Sequence, residues 1–166
     1  MLINKPVSSF IATILIIFFL LLVTSLIKIY PCNKDFISNL YSNFLHEDFL
    51  HLLSNLYSLY VLSRIEQKIG SEKFVLIVSL IVVINTIIET STHKIVNIPC
   101  SIGFSAILYG MLSWEAIAHR NIFDYQIIGA VSFDIILRVF SKTHKISLIN
   151  HFMGLISGII IGICVK

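Results

Sequence analysis

Long stretches of this sequence carry no charge at all, and the first of them limits what the chain can become. Val7 to Ile27 holds no charged residue and follows Lys5. At ~1.5 Å per helical residue the run extends roughly 32 Å, enough to cross the hydrocarbon layer of a bilayer. It is long for the apolar core of a secretory signal, and no convincing small-residue cleavage site follows, so it reads as a retained first span. Further apolar runs follow, and the predicted spans are roughly 7–27, 49–64, 73–89, 103–118, 122–140 and 147–165. The fifth contains Asp124, Asp134 and Arg138; the others are almost free of charge.

Composition agrees. The 166 residues are 57% hydrophobic and 13% charged, where a soluble domain carries about a quarter charged residues. A soluble fold of this size has too little interior to hide so much apolar surface. β-branched residues are abundant, but the runs lack in–out alternation, and lipid tolerates no open sheet edge. The expected fold is therefore all-α: a polytopic membrane protein, a six-helix bundle forming one transmembrane domain over 1–166. Ile29 to Leu50 is more mixed and reads as a long loop with short interfacial elements. Six spans put both ends on one side. Lys5, Arg64, Lys68, Lys73, Arg120 and Lys166 then share that side, against Lys28, Lys34, Lys94, Arg138, Lys142 and Lys145. Charge bias does not orient such a chain. The dense Arg64–Lys73 hinge leans toward ends inside.

The same composition excludes other classes. The net charge is +3, and no basic run interleaved with aromatics points to nucleic acid. Cys32, Cys100 and Cys164 form neither a metal-ligand spacing nor a disulfide framework. No metal or cofactor is expected.

Polar groups inside lipid are costly and need partners or a task. His51 and Asn55 lie four apart, on one helical face, and Glu66 continues that face about three turns on. Taken alone, the pair fits simple helix packing. Ser105 follows Pro99 and Gly103, where a helix is expected to start. It could be a helix cap, or it could face a cavity beside backbone N–H groups suited to an oxyanion. His151 heads the last span, whose Gly154, Gly158 and Gly162 repeat every four residues. Such a face lets two helix backbones approach closely in a membrane. Gly103, Ala106 and Gly110 offer a matching face beside Ser105. If the two faces meet, a hydroxyl and an imidazole come together, the minimum for a nucleophile and its base. No carboxylate joins them, so the expectation is a dyad.

At this point the sequence resembles the rhomboid family of intramembrane serine proteases, from about Phe44 to Gly162. The second-span signature of His, four residues, His, three residues, Asn is matched by His46, His51 and Asn55. The later Glu and Gly are Glu66 and Gly70, and Gly-x-Ser is Gly103-Phe104-Ser105. The tyrosine four residues on is Tyr109, and the last-span His-x-x-Gly-x-x-x-Gly is His151, Gly154 and Gly158. The sequence departs from the pattern in three places. Ala106 stands where the nucleophile motif usually ends in glycine, Asn150 stands where alanine precedes the last-span histidine, and no Trp-Arg pair is evident between Tyr30 and Leu50.

The resemblance implies a serine endopeptidase that cuts transmembrane protein substrates by way of an acyl-enzyme. It implies Ser105 as nucleophile and His151 as base, with the Ser105 N–H, His51 and Asn55 holding the oxyanion. Tyr109 would pack on the His151 ring, and His46 would order the first loop and nearby water. Gly103 and Gly154 would support the dyad. The fifth span, with Gly129 and the 141–147 loop, would be a lateral gate. The expected location is a multi-pass position in the plasma membrane; substrate, organism and oligomeric state are open. Two other classes compete. One is a catalytically inactive rhomboid-like protein that binds transmembrane clients. The other is a small transporter or channel subunit, which would spread its polar residues through several depths.

Overall fold

A computed structural model of the chain describes residues 6–26, 35–96, 102–119 and 148–165. Among them lie six helices: α1 (Pro6–Val23), α2 (Phe36–Ser42), α3 (Phe49–Ile69), α4 (Ser71–Ile95), α5 (Ser105–His119) and α6 (Leu148–Cys164). The described residues include no strand. The expected span 122–140, the 141–147 loop, Cys32 and Cys100 lie outside them.

The expectation of six membrane-length helices is met only in part. By length and composition α1 and α4 are long and apolar enough to cross a bilayer. The apolar α6 is shorter, at 17 residues, and α5 has 15. The reason is visible in α5. From Ser105 to Glu115 every residue except Tyr109 is buried, so neighbouring helices, rather than lipid, set its length. Phe104, Ile107, Met111 and Trp114 meet Phe74 and Ile81 of α4 and Leu59 and Leu62 of α3 in one apolar core. Trp114 Nε1 donates to the Val165 carbonyl at 2.9 Å, tying α5 to the end of α6.

Charges do not break α3 where the sequence suggested a break at Arg64. The helix continues to Gly70, whose φ of 82° ends it, and α4 starts at the next residue. Glu66 and Lys68 have partners, which offsets part of the cost of holding charges there. Glu66 accepts from the N–H groups of Val7 and Ser8 at 3.0 and 2.9 Å. It also accepts from the Ser8 and Ser71 hydroxyls at 2.6 and 2.8 Å. The carboxylate thus caps the start of α1, where N–H groups have no partner within the helix. Lys68 reaches Glu115 of α5 at 3.1 Å.

α1 ends at Val23, short of Ile27, in a turn that carries Ser25 at a φ of 59°. It buries only Ser8, Ile11 and Leu15. Phe10 and Leu20 are 65% and 54% exposed, a surface suited to acyl chains.

Candidate active site

Two helices that run the same way bring the sequence-predicted dyad together. A Cβ at Gly154 would fall on the Ala106 carbonyl, and one at Gly158 on the Gly110 carbonyl. One at Gly162 would lie 3.4 Å from the Trp114 carbonyl oxygen. Each step of four residues along α6 matches a step of four along α5, so the helices are parallel and their backbones touch. Ser105 and His151, each at the head of its helix, therefore sit at one depth. Ser105 Oγ lies 2.9 Å from His151 Nε2, and both side chains are buried. The Tyr109 ring stacks on the imidazole, with centroids 4.6 Å apart and planes 22° from parallel.

The start of α5 is held from below. Gly103 has a φ of 119°, a backbone state that L side chains rarely adopt. Its N–H donates to the Ser42 carbonyl at 3.0 Å. A Cβ here would lie 2.6 Å from His51 Nε2 and 3.6 Å from Asn55 Nδ2. The absent side chain lets both α3 residues close on the turn that leads into Ser105. Asp48 caps α3 by accepting from the His51 N–H at 2.8 Å. Asn55 Nδ2 donates to the His51 carbonyl at 3.1 Å, while its buried Oδ1 has no partner among the described residues. One cluster thus gathers Ser105, His151, Tyr109, Gly103, His51 and Asn55.

His46 completes it from the loop before α3. The ring is fully buried and meets His51 edge-on at 5.1 Å. Burial, with the neighbouring His51 adding to it, pushes its pKa down to about 3, so the ring is neutral at ordinary pH.

The departures noted in the sequence find physical answers. Ala106 is buried, and its carbonyl faces the bare Gly154, so the extra methyl does not keep α5 from α6. In the described part of the first loop, α2 is anchored without a Trp-Arg pair. Asp35 caps α2, and hydrogen bonding by Ser38 holds its carboxyl below its ordinary value. Asn39 donates to Thr90 Oγ1 at 2.9 Å and Asn43 to Thr86 Oγ1 at 3.4 Å, pinning α2 to α4. Asn150 Nδ2 donates to Glu89 Oε1 at 3.1 Å.

Glu89 and its neighbours are what the sequence reading passed over, because Glu89 to Lys94 looked like a break between spans. The signal was present: Thr86, Glu89, Thr90 and His93 fall at helical spacing, which makes a polar stripe rather than a loop. Glu66 was placed on the face of His51 and Asn55, yet it serves α1 at the other end of α3.

With this geometry in hand, known proteins bear on it. A family model described as the Rhomboid domain matches residues 33–166. A protein of Acanthamoeba polyphaga mimivirus whose name assigns it to the rhomboids is 24% identical over 155 residues. The match covers 91% of this chain and 88% of the relative.

Proposed function

The chain belongs to the rhomboid family, and from that premise we propose that it is a multi-pass intramembrane serine endopeptidase. The observation that carries the proposal is the 2.9 Å contact between Ser105 Oγ and His151 Nε2 under a stacked Tyr109.

Ser105 Oγ attacks the carbonyl carbon of a peptide bond in or near a transmembrane segment of the substrate. His151 Nε2 takes the hydroxyl proton, which requires the tautomer with hydrogen on Nδ1. The tetrahedral oxyanion is held by the Ser105 N–H and the side chains of His51 and Asn55. His151 then gives its proton to the leaving amine, and water releases the acyl-enzyme by the same steps. Each oxyanion donor is worth about 3 kcal/mol in the transition state. Tyr109 keeps the imidazole from turning away, and Gly103 lets the donors approach. His46, held neutral by burial, packs beneath His51 without adding a charge beside the oxyanion. The pairing of Asn39 and Asn43 with α4 gives α2 a fixed seat, and the Ser42 carbonyl meets the turn before Ser105.

The test uses the purified full chain with a model transmembrane substrate and a fluorophosphonate probe. Wild type should cleave and take label at Ser105. Ser105→Ala should do neither while still folding and inserting, and His151→Ala should abolish cleavage. Asn55→Ala should cost less, about 10²-fold in kcat. Cleavage retained by purified Ser105→Ala would refute the proposal. A wild-type chain that binds transmembrane helices yet never labels would favour the client-binding reading.

A further inference from the structure

Glu89 is 2% exposed in the last two turns of α4, and no step of the proposed hydrolysis uses it. A carboxyl group is costly in such a place unless its contacts repay it. Its Oε1 accepts from Asn150 Nδ2 at 3.1 Å and lies 3.7 Å from His93 Nε2. Asn150, also 2% exposed, immediately precedes His151. Successive helical residues are turned ~100° from each other. Asn150 therefore meets α4 while His151 meets α5.

The two contacts constrain α6 in different ways. The glycines set how closely α6 approaches α5, and Ser113 and Trp114 tie it to α5 further along through the carbonyls of Leu155 and Val165, but a face without side chains itself offers little resistance to rotation. At the head of α6 a hydrogen bond to a third helix adds that resistance. We propose that Glu89, acting through Asn150, is a positioning residue that fixes the rotation of α6 and so aims His151 at Ser105. The proposal rests on the protease reading above. Glu89 touches neither substrate nor reacting atoms. With a side-chain reach of ~6 Å from the helix axis, a turn of about 10° moves the imidazole nitrogen by about 1 Å. A shift of that size costs about 10²-fold in rate.

The experiment follows fluorophosphonate labelling of the full chain in time, so that the rate and the final level are read separately. A folding defect lowers the final level. A misaimed base lowers the rate at an undiminished level. Glu89→Leu should label about 10²-fold more slowly to the wild-type level. Glu89→Gln keeps an acceptor for Asn150 and should stay within about threefold of wild type. Asn150→Leu should match Glu89→Leu, and the double variant should be no slower than either. If Glu89→Leu does not fold, Asn150→Leu against Glu89→Gln decides the matter. A Leu variant labelling at the wild-type rate, a Gln variant as slow as Leu, additive losses, or a loss confined to the final level would each overturn the positioning role. A wild-type chain that neither labels nor cleaves would instead overturn the protease reading, and this inference with it.

Discussion

Replacing Gly154 with alanine adds one methyl group at the point where α6 lies on α5. The new Cβ would overlap the Ala106 carbonyl oxygen and sit 2.8 Å from its carbon and 3.0 Å from its Cα. These are backbone atoms in the first turn of α5 and cannot swing aside. Carbon atoms rest at ~3.5 Å or more, so the carbon contact alone forces the helices apart by about 0.7 Å, and the overlapped oxygen by more. If that movement is carried to the dyad, the 2.9 Å contact between Ser105 and His151 opens beyond about 3.6 Å, which is no longer a hydrogen bond. Overpacking of this kind costs about 1–3 kcal/mol of stability. The loss of aim should cost about 10²-fold in kcat. Gly162→Ala is the control. Its Cβ would lie 2.9 Å from the Ile117 Cβ, about three turns from the dyad, so it should strain the helix pair while leaving kcat within about threefold of wild type. Both variants are to be assayed for cleavage of a transmembrane reporter and for thermal unfolding in the same detergent. Wild-type cleavage by Gly154→Ala, or an equal fall in Gly162→Ala, would refute the claim that backbone contact sets the dyad distance.

Other parts of the structure make their own predictions. Removing the cap on α1 by Glu66→Ala should lower stability by about 2 kcal/mol, read as a lower Tm and faster proteolysis near the N-terminus; an unchanged Tm would contradict the capping role. His46 is held neutral in the fold, at about 3 against 6.5 for a free histidine. The unfolded chain therefore binds a proton that the folded chain refuses. Stability is fully present above about pH 6.5 and falls by up to ~1.4 kcal/mol per pH unit as pH drops toward about 3. His46→Phe should flatten the acid limb of a plot of Tm against pH, and an unaltered limb would show that other groups control it.

The pairing of Ser105 with His151 was legible in the sequence because it rests on short periodic patterns. Glycines every four residues announce a smooth face, and each catalytic candidate stands at the head of such a face. The start of α5 at Ser105 was equally readable from Gly103. What the sequence concealed was partnership at a distance. Arg64, Glu66 and Lys68 look like a hinge until Ser8 and Glu115 are seen to answer Glu66 and Lys68, after which α3 has no reason to stop before Gly70. Glu89 looked like the end of a span for the same reason, since its partner Asn150 lies 61 positions away. The anchoring of α2 was hidden in asparagines and threonines, residue types that also populate ordinary loops. α5, walled by protein, need not match the thickness of a bilayer.

The bare strip between α5 and α6 also bears on how such a chain can diversify. Where main chain rests on main chain, the spacing between helices is written in peptide units, whose dimensions are the same in every protein. Elsewhere apolar side chains of similar volume, such as leucine and isoleucine, can be exchanged with modest repacking. Evolutionary drift in the apolar walls can therefore run far while Ser105 and His151 keep their spacing, provided that Gly154 and Gly158 stay without side chains.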